Sequence, residues 1–382
     1  MNRLILIGNG FDLAHGMKTS YNDFILWYLK KCFEEADKVN TYNDEFIEIR
    51  KIHNQWSRVI KDFSDLVDYF YQENNLVGVV EQQYYDIGST RYTNQFQGNV
   101  KSTFLRLLLS KCSNSNWVEI ENEFYNQLKD ILTVDIGPVN RTGYDEKYRV
   151  RLQKVQSLNA SLEFIINQLN EYLFTINTEV VIDDYRDIFT SKICKAEIVI
   201  DNNLKEENES PDSTMILNFN YTKTATNYLT YNIREDDVNY IHGKIGDIDN
   251  PIIFGFGDEL DSDYPKLELQ KLNSFLKYIK SFWYFKTMNY HNLIRFIDRY
   301  EFQVYILGHS CGLSDRTMLN MIFEHENCKS IKIFYYVDTN GNNNYTNLTQ
   351  EISRHFGLKS KGIMRKKIVP LPMSEKMPQA KP

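Results

Sequence analysis

No cysteine pair in this sequence is spaced for metal or disulfide chemistry. Its 382 residues include five cysteines, Cys32, Cys112, Cys194, Cys311 and Cys328, an odd number scattered far apart with no C-x-x-C spacing. That argues against a disulfide framework and a structural zinc module, and fits free thiols in a reducing cytosol. Long hydrophobic runs are missing too. The longest, such as Val304-Tyr305-Ile306-Leu307, have strand length, far short of the roughly 20 residues of a membrane span. No basic stretch followed by an apolar one opens the chain, so a cytoplasmic location and no membrane contact are expected. Positive charge is also in deficit: 44 Lys and Arg stand against 51 Asp and Glu, a net of −7. Binding to nucleic acid by bulk electrostatics is therefore disfavoured. No clustered acidic motif suggests a metal, which weighs against a metal-dependent nuclease.

The aromatics are plentiful, with 26 Tyr and 23 Phe, so the cores are built on rings as much as on aliphatics. Hydrophobic content of 42% and charged content of 25% lie in the ordinary globular range. The length suits two domains, or one domain with a large insertion.

Organisation starts at Leu4-Ile5-Leu6-Ile7-Gly8-Asn9-Gly10-Phe11-Asp12. An apolar run ends in a glycine turn, and helix formers follow. That order reads as strand, tight turn and helix start. Glycines there let a backbone approach a ligand, and free N–H groups of a first helical turn suit phosphate. The spacing leaves a second reading open, a strand that must turn sharply into a helix, with Asp12 at the positive end of its dipole.

Residues 20–175 carry mostly helical periodicity, through Phe24, Trp27, Phe46, Ile49, His53 and Trp56, then Leu158, Leu162 and Ile165. They are read as a helical insertion or cap. Strands then alternate with helices. Met215 to Leu217 runs into Asn218-Phe219-Asn220-Tyr221-Thr222. Val238 to Ile241 ends in His242-Gly243. Ile252 to Phe254 ends in Gly255-Phe256-Gly257. Gln303 to Leu307 ends in Gly308-His309-Ser310, and Ser330 to Val337 is a further strand. Leu267 to Tyr300 and Ala225 to Ile233 read as helices. The alternation implies an α/β fold, Rossmann-like, with a mainly parallel sheet flanked by helices and a large helical insertion after the first strand. Residues 1–19 and 176–358 form the core of this reading, 20–175 the insertion. Ligands of open α/β sheets bind beyond the carboxyl ends of strands, so these turns should meet. Residues 359–382 hold seven Lys and Arg against Glu375, and their prolines and few apolars suggest a basic flexible tail.

Taken in order, the turns resemble the NAD-binding core of sirtuins, whose pattern runs G-A-G-x-S, T-Q-N-x-D, H-G, F-G-E, G-T-S. Asp23-Phe24 also resembles a pair in that family. A closer likeness is to the AbiH family of bacterial abortive-infection proteins, which opens on G-N-G-F-D followed by Thr-Ser-Tyr. Gly8 to Asp12 and Thr19-Ser20-Tyr21 fit it. Trp117, Glu121, Asn218 to Thr222, His242-Gly243 and Gly308 to Ser310 with Asp315 extend the match.

The sirtuin resemblance implies an enzyme that consumes NAD as substrate. Asn220 and His242 would be catalytic, the first positioning ribose and water, the second acting as general base. Gly8, Asn9, Gly10, Asp12, Asp23, Asn218, Gly308, His309 and Ser310 would bind the nucleotide. Departures matter. Thr222 stands where sirtuins have aspartate and His309 where they have threonine. No zinc module follows His242, so a protein deacylase is not implied, whereas hydrolysis of NAD to ADP-ribose and nicotinamide needs no such module. Asn218 and Asn220 could instead be helix caps, and His242 a turn residue. A nucleotide-sensing module of a defence complex is the alternative function, a nuclease is less favoured, and contact with nucleic acid is expected at most through the basic tail. A homo-oligomer or a partner protein of the same defence system is left open.

Overall fold

The computed structural model describes residues 1–51, 85–87, 90–92, 96–112, 120–133, 141–199 and 208–380. The chain divides into two compact units, Met1–Thr19 with Leu173–Pro382, and Ser20–Tyr172.

The first unit is built on six parallel strands: β1 (Asn2–Ile7), β2 (Thr214–Asn218), β3 (Val238–Tyr240), β4 (Phe302–Leu307), β5 (Cys328–Tyr335) and β6 (Glu375–Lys376). Their spatial order is β6-β5-β4-β1-β2-β3. The order reverses between β1 and β4, which is the doubly wound arrangement of a Rossmann-like sheet and makes that junction its topological switch point. Ile7 pairs with Asn218 on one side and Leu307 on the other, so three strand ends lie level.

Successive side chains of a strand point to opposite faces, and both faces here are covered. Ile5, Ile7, Ile216, Tyr305 and Leu307 share one core with α1 (Asn9–Ala14) and α2 (Asp184–Thr190), through Phe11, Tyr185 and Phe189. Leu4, Leu6, Leu217, Val304, Ile306 and Ile331 share the other with α3 (Asn289–Arg299), α4 (Arg316–Glu324) and α5 (Tyr345–Arg354). This double burial is why Leu4 to Ile7 of β1 and Val304 to Leu307 of β4 read as unbroken apolar runs.

Four expectations for this unit change, three of them between residues 225 and 300. Ile252 to Phe254 is not a strand, and the one bridge nearby joins Phe256, beyond the segment, to Ile279. The helix expected over Leu267 to Tyr300 is broken into Tyr264–Glu268, Asn273–Leu276, Lys280–Trp283 and α3, with Lys271 at φ 54 between the first two. Ala225 to Ile233 is a short 3-10 turn, Thr224–Tyr228, closed by a bridge from Thr230 to Ile233.

The tail over 359–382 is not free. Residues Lys361–Lys367 form a helix, α6, and β6 pairs with Phe334 and Tyr335 of β5. Val369 and Met377 are buried. Lys367 is buried too, and its ammonium donates to the Phe323 and His325 carbonyls at 2.8 Å each, the C-terminal end of α4. The Ala380 amide donates to the Ala14 carbonyl at 2.7 Å. Charge and proline content obscured two buried apolar residues, and those tie the segment to the sheet edge.

The second unit contains helices Tyr21–Val39, Thr103–Cys112, Ile120–Thr133 and Arg141–Leu173, but also an antiparallel sheet of Thr41–Asn43, Ile47–Lys51 and Phe96–Val100, and a hairpin of Tyr85–Ile87 with Thr90–Tyr92. Of Phe46 and Ile49, both expected on a helix, Ile49 enters this sheet and Phe46 lies in the turn before it. The Asp44 side chain accepts from the Phe46 and Ile47 amides at 2.7 and 2.8 Å, and this Asx turn starts the strand. Expectations for His53, Trp56 and Trp117 fall outside the described residues.

Deleting residues 369–382 should remove β6 and the buried Val369 and Met377. Each such side chain stabilises by about 1.5–3 kcal/mol. Thermal unfolding should show a fall of several degrees, where a flexible tail would give none.

Candidate functional site

Two turns face each other at the switch point. The Gly10 amide donates to the Gly308 carbonyl at 2.8 Å, and the Gly8 amide to the Leu307 carbonyl at 3.2 Å. A Cβ on Gly10 would stand 2.7 Å from the Gly308 oxygen, and one on Gly8 2.5 Å from the His309 Cα. Gly308 itself has φ 70, a conformation that favours glycine. These glycines therefore let one backbone pack on another, and their amides are engaged in doing so. Asn9 opens α1, a half-buried position, and Ser310 is exposed on the facing turn.

Beyond β2 the chain is locked by asparagines. Asn218 accepts from the Asn220 amide at 3.0 Å through Oδ1 and donates to the Thr222 carbonyl at 3.2 Å through Nδ2. Asn220 Nδ2 donates to the Gly8 carbonyl at 3.0 Å, which joins the end of β2 to the turn after β1. Thr222 donates to Asp12 Oδ2 at 2.6 Å. A carboxylate thus stands in this polar cluster, carried by α1. Asp12 is buried, and its Oδ1 has no partner. Burial pushes its carboxyl up to about 6, although hydrogen bonds from Thr222, Thr224 and Asn220 favour the ionised form.

Beyond β3 stands His242. Its Nε2 lies 3.1 Å from Asp315 Oδ1 and 3.2 Å from the Tyr284 hydroxyl. Lys280 Nζ donates to the same Asp315 oxygen at 2.8 Å and is fully buried. His309 Nε2 lies 3.8 Å from Asp315 Oδ2, beyond hydrogen-bond reach, while its Nδ1 accepts from the Cys311 amide at 3.0 Å. The Phe219 ring lies beside both imidazoles, 5.0 Å from that of His242 and 4.1 Å from that of His309. Burial alone would push the Asp315 carboxyl up. Lys280 first, then His242 and His309, outweigh that and hold it well below the usual carboxylate range. Burial pushes His309 down to about 4, so it is neutral at physiological pH.

Gly8, Asn218, Asn220, His242 and His309 thus gather at the carboxyl ends of β1 to β4, with Asp12 linked through Thr222. Asp23 serves another end: with Ser20 it forms the capping box of the Tyr21–Val39 helix in the second unit. Lys280 and Tyr284 escaped sequence reading, and Asp315 entered it only as part of a motif. The available signal for Lys280 was a lysine inside the aromatic run Tyr278-Ile279-Lys280-Ser281-Phe282.

The family model described as bacteriophage abortive infection AbiH matches residues 4–337. The chain belongs to the AbiH family. Membership implies a role in abortive infection by phage. No curated protein and no solved structure matches the chain. No helix among the described residues of this AbiH protein is long and apolar enough to cross a membrane, and no group of three His, Cys, Asp or Glu among them could hold a metal.

Gly10→Ala should destabilise strongly, because the new methyl meets a backbone oxygen that cannot move without breaking the switch-point hydrogen bond. Loss of soluble, cooperatively melting protein is the expected result.

Asp12 gives a pH test. Its folded value, about 6, exceeds the unfolded value of about 3.9. Its stabilising contribution is therefore complete below the unfolded value and lost as pH rises through the folded one. About two pKa units correspond to about 3 kcal/mol. The stability of Asp12→Asn relative to wild type should rise by that order between pH 4 and pH 7.5 in paired urea titrations.

Proposed function

We propose that this AbiH protein is an abortive-infection effector that hydrolyses NAD to ADP-ribose and nicotinamide, in a core that works as a sirtuin's does. The observation that carries the reading is the gathering of Asn220, His242 and His309 around Phe219, beyond the carboxyl ends of strands in Rossmann-like order. That is where open α/β sheets take nucleotides.

In the reaction, a water oxygen bonds to ribose C1′ as the bond from C1′ to the nicotinamide nitrogen breaks. Nicotinamide leaves neutral, carrying the bond's electron pair. The water's proton passes to His242. Asn220 holds the turn against Gly8 and orients ribose and water. Histidine suits the base because its ordinary pKa is about 6.5. The glycine turn acts through shape, since the amides of Gly8 and Gly10 already hold carbonyls.

Purified protein should release nicotinamide from NAD, and cellular NAD should fall during phage challenge. His242→Gln should reduce release about a hundred- to ten-thousand-fold, with melting little changed. A protein that still protects cells without consuming NAD would overturn the hydrolase and favour a nucleotide sensor.

A further inference from the structure

Lys280 and Asp315 have no role in the reaction as written, yet the fold goes to some length to bring them together. The Gly255-Phe256-Gly257 loop clasps both segments. The Phe256 amide donates to the Tyr278 carbonyl and the Lys280 amide to the Phe256 carbonyl, each at 3.0 Å. On its other side the Gly257 carbonyl accepts from the Thr317 amide at 3.1 Å. A Cβ on Gly255 would lie 2.0 Å from the Tyr278 oxygen, and one on Gly257 2.8 Å from the Ser314 oxygen and 3.5 Å from the Lys280 side chain. The two glycines are needed for this clasp. Their loop binds the chain before Lys280 to the chain around Asp315.

An imidazole nitrogen 3.1 Å from a carboxylate oxygen carries a proton, because two lone pairs facing each other at that distance repel. The Tyr284 hydroxyl, 3.2 Å from the same nitrogen, can accept or donate, so the carboxylate decides: it favours Nε2–H, which leaves the lone pair of the neutral ring on Nδ1. We propose that the Lys280–Asp315 pair, seated by the Gly255–Gly257 loop, fixes the Nε2–H tautomer of His242 and so makes Nδ1 the proton acceptor of the site. Asp315 and Lys280 are positioning residues. The groups facing His242 are Asp315 and Tyr284 directly, with Lys280 and His309 across the carboxylate. When Nδ1 takes a proton, both ring nitrogens carry hydrogen, and Asp315 faces the resulting imidazolium.

The assignment of the base rests on the NAD-hydrolysis reading, but the tautomer does not. The full-length protein, labelled with nitrogen-15 at histidine, should be compared as wild type, Asp315→Asn, Lys280→Met and the double variant. His242→Gln identifies the His242 signals. Wild type should show one His242 tautomer, Nε2–H. Asp315→Asn should mix the tautomers and lower nicotinamide release about a thousand- to ten-thousand-fold, as loss of an orienting carboxylate does elsewhere. It removes the carboxylate that faces the buried Lys280 ammonium, which endangers folding. The double variant removes both charges, should fold, and should still show mixed tautomers. Lys280→Met should recover a single tautomer only at raised pH, where the carboxyl ionises without its ammonium. A single Nε2–H tautomer retained in the folded double variant would overturn the proposal. If wild type releases no nicotinamide but the tautomers behave as described, the positioning stands and the NAD reading falls.

Discussion

The close approach of two turns, Gly10 N–H to Gly308 C=O at 2.8 Å, sets the geometry of the upper end of the sheet. It fixes β1 level with β4 at the point where strand order reverses. The backbone of His309 passes so near Gly8 that no side chain fits between them. The Gly8 carbonyl then receives Asn220 from the end of β2. Three strands are thus joined at their carboxyl ends without any long side chain. An isolated hydrogen bond contributes only about 1 kcal/mol net, so its worth here is positional. It sets where the next residues can stand.

Charge burial organises the other face of the sheet. Lys332 of β5 donates to Glu197 and to Glu375 of β6 at 2.7 Å each. Gln303 of β4 donates to Glu197 and Ser330. Arg3, wholly buried, lies 4.3 Å over the Tyr305 ring. Burial lowers its pKa, and Tyr305 and then Glu197 counter the effect. A polar stripe inside an apolar layer is costly unless each charge is paired. Glu375 brings one of the pairing charges, and it comes from the segment that composition alone assigns to solvent.

Much of the sheet was legible because doubly buried strands leave continuous apolar runs. Ile5 to Ile7 and Val304 to Leu307 each announced themselves, and the glycines after them marked their ends. Segments whose order depends on side-chain reach left no such trace. The stretch from Leu267 to Tyr300 is rich in rings at helical spacing, yet Lys271 takes a positive φ and Lys280 turns inward to a carboxylate 35 residues away. Phe46 and Ile49 fit a helix by spacing, but the Asp44 turn puts them in a hairpin. Asn220 and His242 were recognisable by motif. Their hydrogen-bond partners were not, because Gly8, Asp315 and Tyr284 come from separate parts of the chain.

The charge arrangement beyond β3 explains why one carboxylate facing two imidazoles can serve one of them. Asp315 and Lys280 cancel, so with both rings neutral the cluster carries no net charge. A buried carboxylate without a cation would take up a proton and cease to accept an N–H, and Lys280 prevents that at 2.8 Å. His242 at 3.1 Å is within hydrogen-bond reach of the carboxylate, whereas His309 at 3.8 Å is not. His309 also spends Nδ1 on the Cys311 amide, and burial lowers its pKa to about 4. It therefore does not compete for a proton near neutral pH. Both rings lie beside Phe219, but only His242 lies within hydrogen-bond distance of the Asp315 carboxylate. A distance difference of 0.7 Å, together with one backbone amide, separates the ring that meets the Asp315 carboxylate from the ring turned to the Cys311 amide.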